Sequence, residues 1–325
     1  MVSESALSKG HGVHTAFETA VAGLRAAGVR VRVNTLRSAS VHHAHTLGPL
    51  AQILISRREP VVISAHVTVE SLDGSLGGFE LWRDGASSYL TWAYNRADRV
   101  VAVSPYVEER LRAAGVTAPI VVVPNAIDPD RFAPSPVLRE QYRARLGLEQ
   151  GQPLALACGQ LQPRKAVDTF VRVARQLPGA RFVWLGGRPV GPLTAGYLAV
   201  DGLVAGAPPN VCFTGTVPFA TVPGYYNAAD VFFLPSRQET FCIAAIEAAA
   251  CGLPLVLRDL DVYRPLFGTR YVACDEASFV PALRSLLGDP IQLARQGALS
   301  RELAAPYALP GVTRRLIALY EELAS

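Results

Sequence analysis

Charge of either sign is scarce in this sequence: 18% of its 325 residues are Asp, Glu, Lys or Arg, and the net charge is only +4. Over residues 1–132, 13 Lys and Arg stand against 12 Asp and Glu, a balance of +1. No basic tract is available to grip a phosphate backbone, so nucleic-acid binding has no electrostatic support. Long apolar runs are missing too. No window approaches the ~20 apolar residues that a membrane span needs, and Met1–Gly12 has no apolar stretch of signal-peptide length. The expectation is a cytoplasmic chain whose only route to a membrane is peripheral contact, on the inner face. Cysteine is sparse, and Cys158, Cys212, Cys242, Cys251 and Cys274 show no C-x-x-C spacing. That pattern reads as reduced structural thiols. Low-complexity tracts and internal repeats are absent, which removes disordered and solenoid architectures.

What the chain does have is apolar material in short runs, 50% of residues in all. Candidate strands are Val29–Val33, Val41–His45, Val61–His66, Arg99–Val103 and Ile120–Pro124, then Leu154–Cys158, Arg181–Leu185, Val211–Thr214, Val231–Pro235, Leu253–Leu257 and Tyr271–Ala273. Each is continuous rather than alternating, as in parallel strands buried on both faces. Helical periodicity fills the gaps, for example Thr15–Ala27, Tyr106–Ala114, Val167–Leu177 and Ile243–Cys251. Two such series predict an α/β protein with two doubly wound, Rossmann-like domains. The Pro-rich stretch Asn125–Pro153 separates them. The expected division is 1–135, 136–310, and a C-terminal helix over 311–325 that can cross back to the first domain.

Two segments of the second half carry chemistry. In Glu239-Thr-Phe-Cys-Ile-Ala-Ala-Ile-Glu247, running on to Ala-Cys-Gly-Leu-Pro254, two carboxylates lie eight residues apart, about two helical turns. Glu247 is ringed by alanine and isoleucine, where a carboxylate without a partner is costly. In Gly159-Gln-Leu-Gln-Pro-Arg164-Lys165, adjacent cations open a helix, a poor place for them beside the helix dipole unless they face an anion.

Together these strings resemble the large retaining glycosyltransferase family of GT-B fold, in which two Rossmann-like domains face each other across a cleft. Val123-Pro-Asn125-Ala-Ile-Asp128 at the hinge, Gly215-Thr-Val-Pro-Phe219 and Tyr225-Tyr-Asn-Ala-Ala-Asp230 extend the likeness over nearly all of the second domain. The resemblance implies that this domain binds a nucleotide-sugar donor, with Arg164 and Lys165 on its diphosphate, Glu247 on the ribose hydroxyls and Glu239 on the sugar. Gly159, Asn125, Thr240, Phe241, Cys242 and Ile243 complete the donor contacts. Cys242 departs from the pattern, since the family usually has glycine there.

The first domain opens with Gly10-His-Gly12, read with the resemblance as the glycine loop that approaches the donor phosphate. Read alone it is a weak dinucleotide fingerprint, and no acidic residue ends the next strand, which excludes a nicotinamide dehydrogenase. The strings Val41-His-His43-Ala-His45, Ser64-Ala-His66 through Glu70 to Ser75, and Arg258-Asp-Leu-Asp-Val-Tyr263 resemble bacterial enzymes that glycosylate diacylglycerol or glycosyl-diacylglycerol. By that resemblance His66 lies at the cleft floor beside the reacting carbon. His43 and His45 share one strand face, but no third ligand stands near, so no metal is expected. Leu76–Trp92 gathers Phe79, Trp82, Tyr89 and Trp92. It is either a surface for a lipid acceptor, with Glu70, Trp82 and Trp92 as candidates, or a helix packing its aromatics inward. Only Met1-Val2 precede Ser3, where the family has a buried strand; the expectation is a first strand mostly missing or a start further upstream.

The implied reaction is transfer of a hexose from a UDP-sugar to a lipid acceptor with retention, without a metal or other cofactor, the departing phosphate receiving the acceptor's proton. The alternatives are a soluble or polysaccharide acceptor, a nucleotide-sugar epimerase of the same fold, and a binding protein with a decayed site.

Overall fold

The computed structural model describes residues 1–4, 12–73, 75, 77–188, 191 and 194–325. They form two compact units: Met1–Ile127 with Pro306–Ser325, and Asp128–Ala305.

The first unit is built on four parallel strands in the order β1 (His42–Ala44), β2 (Val61–Ala65), β3 (Arg99–Ala102), β4 (Ile120–Val122). Parallel strands need crossover helices, and Pro49–Leu54, Arg83–Tyr94 and Pro105–Ala113 are among those that supply them. The last of these starts on Ser104, whose side chain accepts from the Val107 amide, followed by proline at the first helical position. The C-terminal helix Leu309–Ala324 packs into this unit, joining Val312, Leu316 and Leu319 to Leu24, Val62 and Val101 in one core.

One expected strand does not form. Val29–Val33 has no regular structure and pairs with no strand of the sheet, its contacts to Met1 being two bonds beside it: the Met1 amino group to the Arg32 carbonyl (2.8 Å) and the Asn34 amide to the Met1 carbonyl (3.0 Å). The neighbour it requires is a single bridge, Val2 against Ala44. A strand is stable only where its backbone groups find partners, and no ladder partner beyond these contacts occurs among the described residues. Val29 and Val31 still pack against the core.

The second unit holds six parallel strands in the order β10-β9-β8-β5-β6-β7: β5 (Leu154–Cys158), β6 (Arg181–Leu185), β7 (Val211–Phe213), β8 (Val231–Leu234), β9 (Leu255–Arg258), β10 (Val272–Cys274). The winding reverses between β5 and β8, and in such sheets ligands sit beyond the carboxyl ends of the strands at the reversal. The core is aromatic. Phe170 stacks on Phe233 at 5.6 Å and meets Phe182 and Trp184 edge-on, geometries worth about 0.5–1.5 kcal/mol per pair beyond area burial. Asp230 ties the linker helix Pro136–Arg145 to this sheet, accepting from Arg139, Arg143 and the Leu154 amide. Asn227 does the same for the segment before that helix, through the Ser135 amide and the Ala133 carbonyl.

Candidate active site

The segments that leave β5 and β8 lie side by side at the reversal of the second sheet. After β5 the chain makes a tight turn over Pro163–Lys165 and enters the helix Val167–Arg175 through Ala166, at φ 55°. After β8 it runs to Cys242, at φ 69°, and enters the helix Ile243–Ala250. Both helix entries therefore use left-handed backbone on residues other than glycine, at roughly 1 kcal/mol each. Such strain persists where the surroundings over-determine it, and it gathers at functional sites. The glycine usual at position 242 is explained by this angle.

A backbone bond from the Arg237 amide to the Arg164 carbonyl (2.7 Å) staples the two segments together. The Arg237 guanidinium adds a forked contact to Asp168 (2.9 and 2.6 Å). Sequence reasoning missed both residues, because exposed charges give no periodic signal. The staple brings Arg164 and Lys165 to Glu239. Lys165 Nζ lies 2.5 Å from one Glu239 oxygen, and an Arg164 nitrogen 3.9 Å from the other. Lys165 and Glu239 are both buried. Burial would raise the Glu239 carboxyl, but Lys165 and Arg164 outweigh it and hold the group below its ordinary range. Two cations against one carboxylate leave one positive charge in excess. Gln162, also buried, accepts from Arg164 Nε at 3.0 Å and fixes that side chain. Gly159 lies against Lys165: a Cβ there would stand 3.4 Å from its Cε.

Glu247 lies within the helix that Glu239 precedes, in a different environment. It is buried, and burial pushes its carboxyl up to about 7, partly offset by the Tyr226 hydroxyl donating at 2.8 Å and by Arg131. The two acids of one motif are thus driven in opposite directions. Thr240 and Ile243 are half-buried, while Phe241 and Cys242 are buried, all beside Glu239 on the helix entry. Burial also pushes the Cys242 thiol up to about 12, so it is no nucleophile at neutral pH.

In the first unit the histidines of β1 and the end of β2 form a buried polar line. Tyr320 of the C-terminal helix meets His43 Nδ1 at 2.5 Å, and His43 Nε2 meets Ser64 Oγ at 2.8 Å. His45 Nδ1 lies 3.0 Å from His66 Nε2, with the rings stacked. Burial lowers His66 to about 4 and His43 to about 3, so both are neutral near pH 7. No cluster of three or more metal-binding side chains occurs among the described residues.

His45 and His66 also line a cavity of about 620 Å³ with Leu47, Val67, Leu72, Trp82, Leu90 and Tyr94. The aromatic stretch and the residues just after it divide between core and surface. Phe79, Leu90 and Tyr94 are buried, whereas Leu81, Trp82 and Trp92 are exposed. Glu70, in the short helix Val69–Asp73, and Trp92 do not line the cavity. Gly12 starts the first helix, Asn125 follows β4, and Gly10 lies outside the described residues. No helix among the described residues is long and apolar enough to cross a membrane.

Comparison with known proteins covers both units. The family model for glycosyl transferases group 1 matches residues 152–289, and that for glycosyltransferase family 4 matches residues 13–131. An alpha-galactosylglucosyldiacylglycerol synthase of Streptococcus pneumoniae is 33% identical over 84% of this chain and 75% of its own. A processive diacylglycerol alpha-glucosyltransferase of Acholeplasma laidlawii is 26% identical over 80% and 78%. Among solved structures, Anabaena HepE in complex with UDP-glucose superposes with a TM-score of 0.81 over 99% of this chain and 98% of its own, at 16% identity. The switch-point cluster, the two sheets and these matches lead to one conclusion: the chain belongs to the group 1 glycosyltransferases and has the GT-B fold.

Proposed function

We propose that this glycosyltransferase moves a hexose from a UDP-sugar to a membrane lipid, with retention at the anomeric carbon and without a metal ion. The observation that carries the reading is the cluster of Arg164, Lys165 and Glu239 at the reversal of the second sheet. Its excess positive charge, beside the N-terminus of the helix Ile243–Ala250, suits a diphosphate. Preorganised charge of this kind stabilises a leaving group without reorganisation during the reaction. Glu239 faces the sugar, and Glu247, with Tyr226, takes the ribose hydroxyls. As the bond from C1 to the phosphate oxygen breaks, the acceptor oxygen bonds to C1 and its proton passes to that phosphate oxygen. The second unit is thus the donor side, and the first unit, with His66, the acceptor side.

Support for a lipid acceptor comes from the names of the two relatives and from the exposed Leu81, Trp82 and Trp92, residues suited to headgroup depth. The test is transfer from UDP-glucose, UDP-galactose or GDP-mannose to diacylglycerol and to glycosyl-diacylglycerol in mixed micelles, with the product's anomeric configuration read by NMR. An α-glycolipid formed from a UDP-hexose is the expected product. Transfer to soluble sugars alone, transfer from GDP-mannose alone, or a β-linked product would each refute the corresponding part of the reading.

A further inference from the structure

The cavity beside His66 bears on which of the possible lipid acceptors fits. Among the described residues that line it, none is Asp, Glu, Lys or Arg. Side-chain polar atoms in its described wall are few, and most of them are bonded within the protein. The Tyr94 hydroxyl donates to the Val67 carbonyl at 2.9 Å, and the Tyr89 hydroxyl donates to the Leu47 carbonyl. Thr46 Oγ1 donates to Glu4, and Ser64 Oγ is bonded to His43. His45 Nδ1 and His66 Nε2 are spent on each other. His45 Nε2 is buried and has no hydrogen-bond partner among the described residues.

An apolar space with polar atoms only at its histidine end suits one kind of occupant. A sugar placed there would bury several hydroxyls with almost nothing to bond to, and each such hydroxyl weakens binding roughly tenfold. An aliphatic chain loses nothing. Its volume, about 620 Å³, lies within the usual range for small-molecule sites. We infer that the cavity receives an acyl chain of the acceptor, with the acceptor's polar end at His45 and His66. The reacting hydroxyl therefore lies within a few atoms of an aliphatic chain. The acceptor is a diacylglycerol-like alcohol, not a lipid that already carries a sugar.

This inference rests on the lipid-acceptor reading above, and its experiment separates the two. Gly85 lines the cavity, and a Cβ added there meets nothing within 4 Å. Gly85→Leu therefore has room for its Cβ and adds bulk at the wall, and it removes a glycine from the helix Arg83–Tyr94. Ala86→Leu narrows the same wall and serves as the second variant.

Wild type, with its UDP-hexose donor, should show kcat/KM for dioleoylglycerol at least tenfold above that for the corresponding glycosyl-diacylglycerol. Each variant should lose about tenfold toward dioleoylglycerol, since each methylene kept from burial is worth roughly fourfold. Toward dibutanoylglycerol the same variants should stay within about twofold of wild type. Equal losses for both chain lengths, no loss at all, or a preference for the glycosylated lipid would overturn the inference while lipid transfer itself stood. Absence of transfer to any lipid, with transfer to a soluble sugar intact, would overturn the lipid reading and this inference with it.

Discussion

Removing the Lys165 ammonium should damage stability and turnover by different routes, and the two can be separated. Lys165 Nζ is 2.5 Å from a Glu239 oxygen, both side chains are buried, and the nearer Arg164 nitrogen is 3.9 Å from the other oxygen. Lys165→Met leaves that carboxylate buried with its closest counter-charge gone. Breaking a buried pair in this way costs about 3–5 kcal/mol, which lowers Tm by roughly 10 °C for a unit of this size. Adding Glu239→Gln to the same chain removes the stranded charge, so the double variant should recover more than half of the lost stability. Turnover should not recover, because the group proposed to stabilise the departing diphosphate is still missing; the loss is about a hundredfold or more. Thermal denaturation of wild type, both single variants and the double variant gives the stability cycle, and kcat/KM on the same preparations gives the activity cycle. Near-wild-type stability in Lys165→Met, or activity that returns with stability in the double variant, would refute the reasoning.

Glu247 gives a pH signature. Its folded carboxyl lies near 7, above the ordinary 4.5, so its contribution to stability is complete below about 4.5 and is lost as pH rises to about 7. Glu247→Gln should flatten that decline by about 3 kcal/mol, measured by urea unfolding at pH 5 and pH 8. His66 acts with the opposite sign. Its folded value is about 4 against 6.5, so stability is lost as pH falls from 6.5 toward 4, and His66→Asn should show less acid loss over that window. Activity should survive EDTA, since in the proposed reaction Arg164 and Lys165 supply the positive charge at the phosphate; loss with EDTA, restored by Mg²⁺ or Mn²⁺, would count against the proposed chemistry. Trp82→Ala and Trp92→Ala should each weaken sedimentation with liposomes, Trp92→Ala with little effect on transfer to dispersed short-chain acceptor, because Trp92 does not line the cavity.

The second unit was legible because its strands are short, apolar and buried on both faces, so β5 and β6 fall at the expected residues. The first unit was less so. Val29–Val33 has the composition of a strand, yet strand formation depends on a neighbour, and Val2 supplies a single bridge. Histidine spacing showed that His43 and His45 share a face, but not that one meets Ser64 and Tyr320 while the other meets His66. Tyr320 is 277 residues from His43, beyond the reach of any local pattern.

Sequence alone was enough to determine the class of fold, the two motif segments and the family, because these depend on residue type and local spacing. Only tertiary structure decided how the motif residues are used. Glu239 and Glu247 are the same side chain on one short segment, yet two cations keep the first ionised while burial pushes the second toward neutrality. The cavity beside His66 is likewise invisible in one dimension. Its walls come from segments up to 81 positions apart (Val13 and Tyr94), and its apolar character arises because tyrosine, threonine and serine hydroxyls are consumed by partners that only folding brings near. Chemical identity is written residue by residue, whereas desolvation and pairing belong to the assembled space around each residue.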